Sequence, residues 1–446
     1  MKKKLLALVL AATMALGLAA CGSDKEASKG EATDGGKVFN IYCWNNEFRT
    51  RLTDHYDAYE AVSETEGKIG DVIVKWHETP NADNQYQNAL DAALLAQKDA
   101  AADDKVDLFL VEADYAVKYV DTDYTLDVKT VGITKDDIKD QYKYTQDAVT
   151  DSKGVLKGLS WQGCPCVMIY KADIAESVLG TSDPAAVQEY VKDWDTFNAT
   201  AETMKAAGYK MVSGYDDTFR IFSNNATSPW VKDGKLNIDA SIKDWIDQTK
   251  LFTQNEYNNK TTLWGDGWST GFTAEGDVFC YFGPAWFVDY TARQKDADGN
   301  ATNDGLFKAT EGPQSFFWGG TWMCAANGTD NAKEIKDMML AMTTDAEVMK
   351  GIVEKDADFA NNKKAMEEMA ASGYTSDFLG GQNPLPMYIA GAEKISLENI
   401  TAYDQGCNEK IQSCMKDYFD GNCTYEEALA NFKNEVKTMY PELTVE

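Results

Sequence analysis

VDLFLVEADY, residues 106–115, decides the fold. Val106 to Val111 reads as a short apolar strand of the kind buried on both faces, which a parallel sheet requires. Working back from it, Tyr86, Ala89, Leu90, Ala93 and Leu94 fall on one helical face. Asp71 to Trp76 (DVIVKW) is a second strand, Arg51 to Ala61 is helical, and Val38 to Trp44 is a third strand. Strand–helix–strand–helix–strand is the order of a doubly wound α/β sheet. In such sheets ligands bind beyond the carboxyl ends of the strands. Here those ends carry Trp44-Asn45-Asn46-Glu47, Trp76-His77-Glu78 and Glu112-Ala113-Asp114-Tyr115. All three offer groups suited to hydrogen bonding or stacking.

A second unit starts near Gly158-Leu159-Ser160-Trp161 and runs into the apolar stretch Pro165 to Tyr170. An N-cap-like start at Asp195-Thr196-Phe197 opens one helix, and another spans about Ile242 to Gln254. A strand over Val278 to Phe282 ends in Gly283-Pro284-Ala285-Trp286-Phe287, and Asn331 to Met342 reads as helix. Trp76, Trp194 and Trp245 lie on a buried strand or on amphipathic helices and belong to the core.

The N-terminus gives an address. Lys2, Lys3 and Lys4 precede the apolar run Leu5 to Leu18 and then Leu18-Ala19-Ala20-Cys21, the pattern of a lipoprotein signal. Residues 1–20 are the expected signal peptide, Cys21 the lipidated residue, and 21–36 a flexible tether of small and charged residues. No later stretch has the ~18 unbroken apolar residues of a membrane helix. The expected location is the extracellular face of the cytoplasmic membrane. Roughly 410 residues follow the tether, more than one core usually supports. The net charge of −29 repels polyanions, so nucleic acid is excluded as a partner. With two histidines and no Cys/His cluster, no metal or cofactor is expected. Of nine cysteines, eight remain after Cys21. Most sit in apolar stretches (Cys43, Cys280, Cys324) and are read as buried thiols rather than a disulfide framework.

Four later motifs, in order, carry a resemblance. They are GVLKGLSWQGCPCVMIYKADIAE (154–176), VKDWDTFNATAETMKAAG (191–208), FTAEGDVFCYFGPAWF (272–287) and FFWGGTWMCAANGTDNAKEIKDMMLAM (316–342). Together they resemble the extracellular solute-binding proteins of carbohydrate ABC importers, the family of maltose-binding protein. Two features depart from the pattern: Lys171 replaces an asparagine, and Ala285 separates Pro284 from Trp286. The resemblance implies an α/β, two-lobed periplasmic-binding-protein-like fold of type II, each lobe a doubly wound sheet flanked by helices, with a hinge between the lobes. Lobe 1 would take 37–160 plus 309–345, and lobe 2 would take 161–308 plus 346–446. Hinges are expected near Ser160-Trp161 and residues 306–312. Ligand would lie in the cleft between the lobes, and the partners would be permease subunits. A monomer is expected.

A sugar ring has an apolar face and an equator of hydroxyls, so it calls for flat aromatics and carboxylates. The resemblance places Asn45, Glu47 and Asp114 after strands of the first lobe, with Asp217 in a facing loop of the second; Glu78 is added as the strand-end carboxylate after Trp76. Trp44, Trp161, Trp264, Trp268, Trp286, Trp318 and Trp322 lie at strand ends, crossings or Gly-rich turns, where the resemblance places the cleft. If 318–322 is extended, Trp318 and Trp322 share a face. The function expected is capture of a neutral sugar or oligosaccharide without turnover. The rival readings are a binder of a cationic solute such as a polyamine, in which several carboxylates converge, and a lipid-anchored glycoside hydrolase. Against the latter, no G-x-S-x-G, H-E-x-x-H or P-loop motif occurs.

Overall fold

The computed structural model describes residues 30–446, so the signal peptide and Cys21 lie outside the described residues. Strands run Val38–Cys43 (β1), Tyr59–Ala61 (β2), Glu66–Ile69 (β3), Val72–Glu78 (β4), Leu108–Glu112 (β5), Leu159–Ser160 (β6), Val167–Lys171 (β7), Val231–Lys232 (β8), Lys235–Leu236 (β9), Cys280–Gly283 (β10), Phe307–Thr310 (β11) and Thr321–Ala325 (β12). The fold is mixed α/β, and the chain divides into two compact units. The first holds the described residues up to Trp161 together with Gly320–Met349; the second holds Gln162–Gly319 and Lys350–Glu446.

The first unit is built on a seven-stranded sheet of order β2-β3-β4-β1-β5-β12-β6. β4, β1 and β5 are parallel, and β12 returns antiparallel to β5, with Trp322 opposite Val111. Phe39, Ile41, Leu108, Phe109, Leu110 and Val111 are all buried, as an apolar strand run demands. The helix expected over Arg51 to Ala61 is shifted: it spans Glu47–His55, and Tyr59–Ala61 is an edge strand. Glu47 therefore opens a helix, where a carboxylate complements the dipole.

Residues 31–36, expected within the tether, are bonded to the first unit instead. Thr33 N donates to Thr329 O, Gly36 N to Asp330 O and Ala332 N back to Thr33 O. Asp34 accepts from Lys333 N at the start of the Ala332–Thr344 helix. An acid at an exposed helix N-terminus satisfies an orphan donor there.

The second unit has a three-stranded antiparallel sheet, β10-β7-β11, surrounded by helices. Helix Trp194–Ala206 is capped by Asp193 in a capping box with Thr196, two residues before the start expected from sequence. A large core joins Phe219, Trp230, Trp245, Cys407, Met415 and Phe432. β11 belongs to this sheet, so residues 306–312 are not a crossing: hydrogen bonding to β7 holds them in the second unit. The crossings fall after Trp161, Gly319 and Met349. Residues 309–319, assigned to the first lobe by sequence, move to the second for the same reason.

Candidate functional site

Within the second unit, four aromatic side chains gather around residues 316–319. Cys166 N donates to Phe316 O and Trp318 N to Cys164 O, so Cys164-Pro165-Cys166 lies antiparallel to this segment. From the other side Asn224 Oδ1 accepts from Phe317 N at 2.9 Å, and Asn225 Nδ2 donates to Ser315 O at 3.0 Å. The backbone under Trp318 is thus held on two sides. The Trp318 ring lies 5.5 Å from Trp286, 5.5 Å from Trp264 and 5.8 Å from Phe287. Trp286 Nε1 donates to Trp318 O at 3.3 Å, tying the GPAW turn to the same segment. Gly319 has φ +72, and a Cβ there would come within 3.0 Å of the Trp286 ring. Here the glycine is required by both conformation and space.

This platform is open at its margins. Trp264 is 53% exposed and Tyr290 is 75% exposed, beside Trp286 at 6.2 Å. Trp264 also has φ +68, an uncommon conformation for a bulky residue and one that clusters at functional sites. The Arg220 guanidinium lies over the Trp318 ring at 5.4 Å. Arg220 and Tyr290 escaped the sequence reading. Tyr290 follows Trp286 by four residues, a helical spacing that could have flagged it.

The other candidates divide between surface and core. Trp268 is buried and packs edge-on to Phe272, Tyr281 and Phe287. Asp217 accepts from Trp268 Nε1 and from Gly214 N, both at 2.6 Å. Its burial pushes the carboxyl up to about 6 against the pull of those two bonds. Trp161 is fully buried and stacked on Phe48 at 4.8 Å. Trp322 is 1% exposed and its Nε1 donates to Thr145 O at 2.7 Å. These three tryptophans are core, a correction to their reading as cleft residues. Trp318 and Trp322 do not share a strand face either, because Gly319 and Gly320 (φ +103) interrupt the extended run.

In the first unit the strand ends come together as polar and aromatic groups. Trp44 is half-buried, with edge contacts to Tyr86 at 5.6 Å and Tyr115 at 6.2 Å. Asn45 Oδ1 accepts from Glu47 N at 3.1 Å, and Glu47 faces Arg51 at 3.5 Å. Asp114 is half-buried, and its N–H is bonded to Glu112 Oε2 at 2.8 Å. Glu78 is exposed and faces Arg49 at 3.7 Å. Beside this ion pair opens a cleft of about 570 Å³ lined in part by Tyr42, Asn46, Arg49, His77 and Glu78. Tyr42 and His77 are stacked 4.4 Å apart, and His77 Nε2 is bonded to Asn40 Oδ1 at 2.9 Å. Burial, with Lys75 nearby, lowers the His77 pKa and favours a neutral ring. Tyr42, Arg49 and His77 were not singled out from sequence.

The chain belongs to the bacterial extracellular solute-binding proteins: the family's sequence model matches residues 60–377, well over half of it. No curated protein matches the sequence. Among solved structures, an extracellular solute-binding protein of family 1 aligns with a TM-score of 0.72 at 16% identity, covering 90% of this chain and 99% of that one. An ABC-transporter-associated binding protein from B. animalis subsp. lactis Bl-04, in complex with beta-1,6-galactobiose, aligns at 0.64 and 17% identity, covering 92% and 98%. The galacto-N-biose-/lacto-N-biose I-binding protein of Bifidobacterium longum, in complex with lacto-N-biose, aligns at 0.62 and 13% identity, covering 94% and 100%. At these identities the likeness establishes a shared fold. No described helix is long and apolar enough to cross a membrane.

Proposed function

We propose that this chain captures a neutral sugar or oligosaccharide outside the cytoplasmic membrane and delivers it to the permease subunits of an ABC importer. The observation that carries this reading is the aromatic platform in which exposed Trp264 and half-buried Trp286 pack on the buried Trp318 ring, with exposed Tyr290 beside Trp286. Such a surface offers flat rings to the C–H face of a sugar. Within the first unit, the strand-end residues Trp44, Asn45, Glu47, Glu78 and Asp114 are of the ring and polar types that sugar hydroxyls call for. Two structural neighbours in complex with disaccharides agree with this choice of solute.

The arginines argue against a cationic solute. Arg220 places a fixed positive charge on the face of Trp318, where a cation would otherwise gain from the ring. Glu47 and Glu78 each face an arginine already. A thermal-shift series with beta-1,6-galactobiose, lacto-N-biose and spermidine tests the assignment. A sugar that binds the native state raises the melting temperature by mass action. Stabilisation by spermidine alone would replace the sugar reading with the cationic one. Incubation with the same sugars should release no hydrolysis products, which separates a binder from a glycosidase.

The monomeric, lipid-anchored state belongs to the same proposal. Cys21→Ser should move the protein from the membrane fraction to the medium; retention in the membrane would argue for another anchor.

A further inference from the structure

We propose that Asp217 is a positioning residue, which acts through Trp268 to fix the 260–268 loop that presents Trp264 and makes no ligand contact of its own. The inference rests on the platform's being the sugar-stacking surface and adds the group that sets its geometry. Both oxygens of Asp217 are engaged within the second unit, Oδ1 by the Trp268 indole and Oδ2 by Gly214 N. Hydrogen bonds to an ionised acceptor are roughly twice as strong as neutral ones. Trp268 is further held by its carbonyl, which accepts from Tyr281 Oη at 3.1 Å and from Ser213 Oγ at 3.4 Å. It is a fixed post, and Trp264 leans on it with ring centroids 5.6 Å apart.

The rest of the loop is gripped in the same way. Gly214 pairs with Thr261 in a parallel bridge, and a Cβ on Gly214 would drive into the Thr261 carbonyl. Leu263 N donates to Asp216 Oδ2 at 3.4 Å, and Lys416 Nζ donates to Thr262 Oγ1 at 3.2 Å. Lys260, at the loop's start, faces Asp420 at 3.5 Å. The adjacent acids Asp216 and Asp217 therefore hold one loop, the first by its backbone and the second by an indole. A left-handed backbone at a bulky residue is strained and persists only where its surroundings impose it. These contacts are what impose it on Trp264.

Two readouts test this, one of them without ligand. In protein isotopically labelled at the tryptophan indoles and free of sugar, Asp217→Ala should shift the resonances of both Trp268 and Trp264. It should also speed exchange of the Trp268 indole proton. Asp217→Asn, which keeps one acceptor oxygen but sets an amide against the second donor, should move both resonances less than Asp217→Ala does. An unmoved Trp264 resonance in Asp217→Ala overturns the proposal, whatever the platform binds. With beta-1,6-galactobiose and lacto-N-biose as probes, Asp217→Ala should weaken binding about tenfold in the native background and much less in Trp268→Phe, which lacks the indole N–H and leaves only the Gly214 bond to lose. Equal losses in both backgrounds would make Asp217 a direct sugar contact and overturn the proposal. If neither sugar binds the unaltered protein, the sugar reading fails, while the resonance test still decides the role of Asp217.

Discussion

Trp318 and Trp322 are four residues apart in the chain and belong to different units, one in an aromatic platform and the other in a sheet core. Their roles should separate on substitution. Trp322→Ala removes a fully buried ring and a hydrogen bond to Thr145, so stability should fall by ~3–5 kcal/mol. The folded fraction should bind its sugar normally. Trp318→Ala should weaken sugar binding by roughly 1.5–3 kcal/mol, about 10- to 150-fold. Denaturant titration and calorimetry on the two variants check both halves. A Trp318→Ala protein that unfolds easily yet binds normally would make that ring core.

The glycine pair between them gives a second prediction. Gly319 and Gly320 have φ of +72 and +103, so an alanine at either is strained by about 1–2 kcal/mol. Gly319→Ala also presses a methyl against Trp286. Both variants should therefore melt lower, and Gly319→Ala should alter sugar affinity the more. Equal affinity losses would show that the turn, rather than the Trp286 contact, governs the platform.

The parallel core of the first unit was legible because β1, β4 and β5 are apolar runs that sheet burial requires. Core assignments for Trp76 and Trp245 held for the same reason, since their periodicity marks one buried face. Crossing points were less legible. β11 (Phe307–Thr310) is too short to show which sheet it joins, and only its pairing with β7 places it. Among the tryptophans, composition marks all of them as large and flat but cannot separate Trp264 from Trp268. That separation depends on a hydrogen bond to Asp217 and on a left-handed backbone at Trp264, both products of tertiary context. Arg220 was missed because a lone arginine in a short helix carries no signal until a ring is found beneath it.

Thiol chemistry offers a third test. Of the eight described cysteines, six are buried, and Cys414 and Cys423 are partly exposed. Burial pushes Cys43 and Cys407 up to about 12, leaving almost no thiolate at neutral pH. Native protein should thus react at two sites with a thiol reagent and at the remaining six only after denaturation. Fewer than eight titratable thiols in denatured, delipidated protein would show that a disulfide forms.

The fourth prediction concerns acid. Asp107 lies buried just before β5, where Asn40 N, Thr329 Oγ1 and Asn331 Nδ2 all donate to it. Burial outweighs these bonds and raises its carboxyl from 3.8 to about 6. The native state therefore holds this proton over a range where the unfolded chain has released it. Stability from this group is full below about pH 4 and is lost as pH rises through about 6, a change of about 2–3 kcal/mol. Asp107→Asn keeps an oxygen for Thr329 and Asn331 but turns an amide toward the Asn40 N–H. Two opposed donors should cost about 1–3 kcal/mol. The variant should therefore be clearly less stable at pH 4, and its deficit should shrink by pH 7, because the buried charge is gone. Urea titrations of both proteins at intervals from pH 4 to 7 would show the curves converging. Parallel curves would mean that the three donors hold Asp107 ionised throughout, and that its burial leaves no mark on the acid response.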